Sequence, residues 1–258
     1  EVMEPLYELR AKLIEDGQLL PQHIPVIEGL RKEDNMMQKL KAERGKWAEG
    51  LDVKDITKEK AEVVYFAGCR YSFDEDLWPI AKGGVNLIKQ AGVDVGIAGK
   101  EEACCGGRAY ELGYQAELTT YAEHNLDAWR TAGAKIVVTP CAECYHAFKV
   151  LYDKIKKKPD VEVLHITQYL ERLITEGKLK LTKEVPIMVT YHDPCHLGRM
   201  GEPWIPWEGK EVKAYGQLIT HEPVKEFRRG TYGVYEPPRT VLKSIAGLRL
   251  VEMPRNRE

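Results

Sequence analysis

Six cysteines carry the chemistry open to this sequence: Cys69, the adjacent pair Cys104-Cys105, the pair Cys141 and Cys144, and Cys195. Between the first and second groups lie 34 residues and between the second and third 35, while only Ala142 and Glu143 separate Cys141 from Cys144. Cys195 stands apart in Tyr191-His192-Asp193-Pro194-Cys195-His196. Three readings compete with iron-sulfur binding for the first five thiols. Structural zinc takes four ligands, commonly short cysteine pairs or cysteine with histidine, so five thiols with two adjacent exceed its need. A thioredoxin-like dithiol at Cys141 and Cys144, placed at a helix start that lowers thiol pKa, leaves three clustered thiols without a role. Buried inert cysteines are common one at a time, and five of them near strand ends fit that account poorly. An iron-sulfur site uses all five. Gly106-Gly107 suits such a site, because glycine has no Cβ to keep the backbone away from a cluster and frees N–H donors to face its sulfurs.

The elements that must position these thiols alternate. Val63-Val64-Tyr65-Phe66-Ala67 is a short apolar run that ends at Gly68-Cys69, as a buried parallel strand would. Further strands are predicted over 93–97, 136–139, 161–164 and 187–190, with helices over about 76–91, 114–132, 142–157 and 167–176. Leu77, Ile80, Val85, Leu87 and Ile88 are expected on the packed side of the first of these helices. This alternation predicts βαβ units, a parallel sheet and an α/β fold. Cys69, Cys141 and Cys195 each follow the C-terminal end of a strand, the edge where open α/β sheets bind ligands. Ahead of the first strand, Met3, Leu6, Leu9 and Leu13 have helical spacing and Gly17 ends the run. A second helix is expected from about Pro25 to Trp47, as a solvated or partner-facing arm.

Composition narrows the function. At 258 residues, 43% hydrophobic and 30% charged, the chain reads as globular, and a formal net charge of -2 gives no whole-chain attraction to nucleic acid. No apolar run reaches the ~18 residues of a membrane span, which leaves a membrane partner open. Six cysteines are too few for a disulfide scaffold in a chain this long, and a reducing, cytoplasmic setting is expected. Gly83-Gly84 and Gly106-Gly107 lack the dinucleotide-binding spacing, so no flavin or nicotinamide is expected on this chain.

The sequence also repeats itself in outline. The run ending in Gly68-Cys69 matches Thr190 to Cys195 in form, and Ala91-Gly92-Val93-Asp94-Val95 resembles Ala246-Gly247-Leu248-Arg249-Leu250. Cys104 lies twelve positions after Gly92, and the same step from Gly247 passes Glu258, so the expectation is a fragment with a second cysteine pair beyond it. The opening Glu1-Val2-Met3, read as part of a helix, carries the same expectation. The second copy holds a long connection over about 201–235 that includes Trp204, Trp207, Arg228, Arg229, Tyr232 and Tyr235, read as an ordered lid or docking loop, for contact or for structural cover.

The spacing Cys69-x34-Cys104-Cys105-x35-Cys141-x2-Cys144 resembles the cysteine-rich CCG domain of the heterodisulfide reductase catalytic subunit and its relatives. Those relatives include iron-sulfur subunits of glycolate and lactate oxidation systems, of a sulfite-reductase-linked membrane complex and of the large benzoyl-CoA reductase complex. The resemblance covers about residues 61–258, and residues 1–60 resemble the helical connector that follows a ferredoxin-type module. It divides the chain at 61–185, a first CCG half, and 186–258, the start of a second. The resemblance implies two noncubane 4Fe-4S clusters facing each other across a pseudo-twofold axis, with a disulfide reduced between them. Cys69, Cys104, Cys105, Cys141 and Cys144 would hold the first, and Cys195 alone in this chain would belong to the second. His192, His196 and Arg199, beside Cys195, become candidates for donating protons or binding an anionic substrate; strand-end hydrogen bonding or surface display is their plainer role. His146 fits a packed or capping histidine, and Lys154 with Lys156-Lys157-Lys158 a solvated helix end. The expected partners are ferredoxin-like and flavin-containing redox subunits, with a small disulfide or thiol as substrate. The alternative is a non-catalytic electron-transfer subunit of an assembly of the benzoyl-CoA reductase type, with attachment to a membrane complex through a partner.

Overall fold

The computed structural model describes residues 3–214, 216, 218–226 and 228–255. Helix α1 (Met3–Glu15) forms where its spacing predicts, but it buries Tyr7 and Ala11 and leaves Leu6, Leu9 and Leu13 exposed. The helix expected to reach Trp47 stops far earlier. Helix α2 (Ile24–Glu33) is closed by Asp34 in the left-handed conformation, and the chain continues through 3-10 turns at Lys41–Glu43 and Lys46–Ala48. The cause is Asn35, which is fully buried. Its amide donates to the carbonyls of Glu33 and Lys39 and accepts from the N–H groups of Met37 and Lys39. A side chain that satisfies its neighbours' backbone removes the advantage of continuing a helix.

From there the alternation is as expected, with one strand added. In chain order come β1 (Lys54–Asp55), β2 (Val63–Tyr65), α3 (Gly68–Phe73), α4 (Trp78–Gln90), β3 (Val95–Ile97), α5 (Gly107–Glu111), α6 (Gln115–Thr131) and β4 (Ile136–Thr139). Next are α7 (Ala142–His146), a π-helical turn at Ala147–Leu151, α8 (Tyr152–Lys154), β5 (Glu162–His165) and α9 (Ile166–Thr175). Strands β1 to β5 form one parallel sheet in the order β1-β3-β2-β4-β5. Strand β1 is too short and polar to be seen from its sequence. The helix expected over 142–157 is a single rod interrupted by the π turn.

Alternation along each strand divides the core between two faces. On one, Val64, Phe66, Val137 and Val163 pack with Trp129, Phe148, Tyr152 and the buried thiols. Phe66, Trp129 and Phe148 meet edge to face, with centroids 4.9 to 6.2 Å apart. On the other, Val63, Tyr65 and Val138 pack against Ala81, Val85 and Ile88 of α4. Ile80, expected on that packed side, is exposed instead. Gly84 takes the inward position, where a Cβ would stand 2.8 Å from the Tyr65 hydroxyl. No wider residue fits there.

The rest of the chain builds smaller units: β6 (Met188–Val189), β7 (Lys210–Ala214), β8 (Leu218–Glu222), α10 (Glu236–Lys243) and β9 (Arg249–Leu250). Strands β6 and β9 pair in parallel as a separate two-stranded sheet, and β7 and β8 make an antiparallel hairpin. The β6–α10–β9 unit has the same order as β2–α4–β3, and Gly92 and Gly247 both take positive φ just before the returning strand, at 74° and 78°. Tyr215, Gln217 and Phe227, within the 201–235 connection, and the chain's last three residues lie outside the described residues. Among the described residues, no helix is long and apolar enough to cross a membrane.

Candidate functional site

Connections leave β2 and β4, which are neighbours, in opposite directions: β2 leads to β3 on one side and β4 to β5 on the other. This is the switch point at which an open α/β sheet leaves a crevice beyond its C-terminal edge. Cys69 lies in the first turn of α3, directly after β2, and Cys141 caps α7, directly after β4, while the loop after β3 brings Cys104-Cys105. Gly68 turns the chain out of β2 with φ of 77°, and a Cβ at this position would lie 2.8 Å from the Cys144 Sγ. Only glycine permits both the backbone angle and the approach of the two segments.

The thiols of five cysteines, brought together by the segments after β2, β3 and β4, interact in one continuous series: Cys69 with Cys104, Cys104 with Cys105, Cys105 with Cys144, Cys144 with Cys141. Cys69, Cys104, Cys105 and Cys144 are buried and Cys141 is partly so. Donation splits the set. Cys69 is held well above the usual thiol range by its bond to Cys104 and by burial, and Cys104 and Cys144 likewise by their bonds to Cys105. Cys105, accepting from Cys104 and Cys144, is pulled down to about 7, and the bond from Cys144 lowers Cys141. Backbone N–H groups also face sulfur: Gly106 to Cys104 at 3.4 Å, Cys144 to Cys141 at 3.5 Å, and Met36 to Cys69. Five soft donors with N–H groups directed at them suit a multinuclear iron-sulfur group. Among the described residues, no three His, Cys, Asp or Glu side chains are grouped closely enough to hold a metal ion.

Several residues of this site gave no signal in the sequence. Arg44, fully buried, reaches Cys69 Sγ with Nη2 at 3.3 Å and Glu102 with Nη1 at 2.8 Å. Glu102 in turn accepts from the N–H groups of Ala67 and Gly68, both at 2.9 Å. Burial raises the Glu102 carboxyl, opposed by the Arg44 charge. Beneath the cysteine pair, the Asn125 amide donates to the Cys104 carbonyl at 3.0 Å, and the Tyr152 hydroxyl donates to the Cys105 carbonyl at 3.2 Å.

The turn that carries Cys195 docks on the same core through Leu197, which is fully buried, and Met200, but Cys195 itself is exposed. It is not in the thiol series. His196 points inward, its Nε2 lying 2.5 Å from Glu111 Oε1. Burial works against charge on both, yet their bond wins: Glu111 is held below the usual carboxylate range and His196 above the usual imidazole range. Glu111 also meets Arg108 at 3.3 Å, and Arg108 reaches Glu143, between Cys141 and Cys144, at 3.0 Å. This ladder joins the two cysteine regions. His192 is exposed, its Nδ1 3.0 Å from the Asp193 carbonyl, and Arg199 is exposed on the next turn. His146 is packed, with Nδ1 2.8 Å from the Met200 carbonyl and a pKa pushed down to about 3 by burial and the His196 charge. Lys154, read as part of a solvated helix end, instead pairs with Glu4 and lies over Trp204 at 4.8 Å.

Fold and site together define a parallel α/β domain with a thiol cluster at its switch point. Residues 63–149 match the CCG cysteine-rich domain. The chain is 32% identical over 205 residues to one component of the dihydromethanophenazine:CoB–CoM heterodisulfide reductase of Methanosarcina barkeri, covering 78% of this chain and 42% of that protein. It is 33% identical over 192 residues to the EtfAB:quinone oxidoreductase of Syntrophomonas wolfei, covering 72% and 27%. A probable iron-sulfur-binding oxidoreductase of Bacillus subtilis is 28% identical over all of this chain and 33% of its own length. The chain thus spans less than half of each of these relatives. No solved structure matches it. Residues 63–149 belong to the CCG cysteine-rich family, and the chain has components of heterodisulfide reductases among its homologues.

Proposed function

We propose that this chain is the iron-sulfur part of a heterodisulfide-reductase-like redox complex that reduces a disulfide or related thiol substrate. Cys69, Cys104, Cys105, Cys141 and Cys144 hold a 4Fe-4S cluster of the noncubane type, and Cys195 is a ligand of a second. In this reading residues 61–185 are the first half of the cluster-bearing unit, 186–258 open the second, and 1–60 connect them to a ferredoxin-like or flavin-containing partner in the cytoplasm. The observation that carries the proposal is the convergence of five mutually interacting thiols, four of them buried, from the segments after β2, β3 and β4. When bound, such a group supplies single electrons and an iron that accepts a thiolate.

The chain's own residues supply the remainder. The buried pocket excludes water from the sulfurs, and Gly106, Cys144 and Met36 direct N–H groups at them. His196, whose imidazole Glu111 holds above its usual range, is placed to deliver a proton near Cys195 to a departing thiolate. His192 and Arg199 stand exposed on the same turn, where an anionic substrate would meet them.

Burial of Cys69, Cys104, Cys105 and Cys144 favours a second reading, in which the first site passes electrons to another enzyme, such as an acyl-CoA reductase, and never touches substrate. Iron and acid-labile sulfide analysis, with EPR of the reduced and thiol-treated protein, tests both. About four irons with matching sulfide, and a signal altered by added thiol, support disulfide chemistry. The same iron with a signal indifferent to thiol supports the relay, and zinc without sulfide overturns both.

A further inference from the structure

The segment expected to be a solvated arm is part of the thiol site. Where α2 breaks, Asp34 accepts the Cys104 N–H at 2.9 Å and Met36 donates its N–H to Cys69. Ten residues after Asp34, Arg44 runs inward until none of its side chain meets solvent. Its guanidinium is divided among four acceptors: Cys69 Sγ at 3.3 Å, the Asp34 carbonyl at 2.8 Å, Glu102 at 2.8 Å and the Ala103 carbonyl at 3.4 Å. Its plane lies over the Phe73 ring, with Cζ 5.3 Å from the centroid, and its Nε has no partner.

A buried ion pair is weak as a source of stability, because desolvating two charges offsets most of their attraction. Arg44 and Glu102 therefore call for another explanation, and their order supplies one. The cation touches the sulfur directly, while the carboxylate touches the cation and is fixed by the Ala67 and Gly68 N–H groups. Of the two charges, the positive one is in contact with Cys69. In a site of low dielectric, a positive charge beside a ligand sulfur stabilises whichever state of the metal group carries more negative charge.

We propose that Arg44 and Glu102 set the reduction potential of the group held by Cys69, with Arg44 raising it and Glu102 restraining that rise. Both are positioning residues that act through Cys69 and the backbone of its loop. The inference rests on the iron-sulfur reading of the five thiols. Opposite signs are its signature: loss of Arg44 leaves the negative charge, and loss of the Glu102 charge leaves the positive one. A purely structural role would move both variants in one direction or in neither.

The test is a mediator-coupled redox titration of the iron-loaded full chain, followed by EPR, on wild type, R44M, R44K and E102Q, with iron and sulfide measured for each. Wild type without iron or sulfide would end the iron-sulfur reading itself, separately from this inference. With a wild-type cluster present, R44M should lower the one-electron reduction equilibrium at least tenfold, about 59 mV. E102Q should raise it, and R44K, which keeps the charge but not the fork, should fall between R44M and wild type. If R44M loses iron, R44K and E102Q decide by the same opposite-sign criterion. Shifts of one sign, potentials equal to wild type, or loss of iron from all three variants overturn the assignment.

Discussion

The two cysteine-bearing regions of this molecule share an outline and differ in closure. In the first, β2–α4–β3 is embedded in a five-stranded sheet, and its one cysteine, Cys69, meets thiols delivered by the segments after β3 and β4. In the second, β6–α10–β9 forms a two-stranded sheet, and its one cysteine is exposed. The strand–helix–strand unit of the second region is tied to the Cys195 turn by a buried charge cluster. Arg239 grips Asp193 through both oxygens at 2.8 and 2.7 Å and also holds Glu252 at 2.7 Å. The strand–helix–strand unit alone therefore does not make a closed thiol site. Closure needs neighbouring loops and the N-terminal segment with Arg44.

Replacing cysteines gives the largest expected contrast. A C105S/C144S double variant should lose most of its iron and sulfide, since it removes the centre of the thiol series, whereas C195S should keep the iron of the first site. Metal and sulfide analysis per chain checks this, and equal losses from both would break the distinction. Next in size, R239M should destabilise the second region by about 3–5 kcal/mol, the cost of leaving a buried partner charge unpaired. Hydrogen exchange should show Met188–Val189 and Arg249–Leu250 opening while β2 and β4 stay protected; simultaneous opening would make the two regions one cooperative unit.

A third test uses pH on the first region. Burial pushes His165 down to about 4, with its ring 3.1 Å from the Pro140 carbonyl. The unfolded chain takes up that proton first, at about pH 6.5. Stability is therefore full above about pH 6.5 and falls as pH drops toward about 4, by on the order of 3 kcal/mol. Denaturant titrations across this window should show the slope in wild type and a flatter one in H165N. The smallest effect sharpens the site's boundary. G92A, strained at φ of 74° but with open space around it, should cost about 1–2 kcal/mol. G68A has a similar angle, but its Cβ meets Cys144 Sγ, so it should cost more and lower iron loading as well. Melting curves with iron analysis separate the two.

Much of the architecture was legible. Ile136–Thr139 forms with the bounds its β-branched run predicts, and the other apolar runs of the main sheet lie within a residue or two of their strands. The helix over 114–132 is present as Gln115–Thr131. What was not legible depended on partners distant in the chain. Nothing in Arg44-Gly45-Lys46 separates the buried cation from its exposed neighbours, and Glu111 gains meaning only when His196, 85 positions later, reaches it. Leu9 and Ile80 carried the right spacing but face solvent, because the surface they could bury against lies on another side. Asn35 offered a faint signal, as a helix-breaking side chain amid charged residues.

By itself the sequence determined the element types, the cysteine spacing and the family, because local propensity and ligand spacing are written in adjacent residues. Tertiary structure alone decided which thiols touch, which cation lies against them and which cysteine stays outside. Those outcomes are set by loop directions at the switch point and by burial, both of which depend on the packing of segments far apart in the chain.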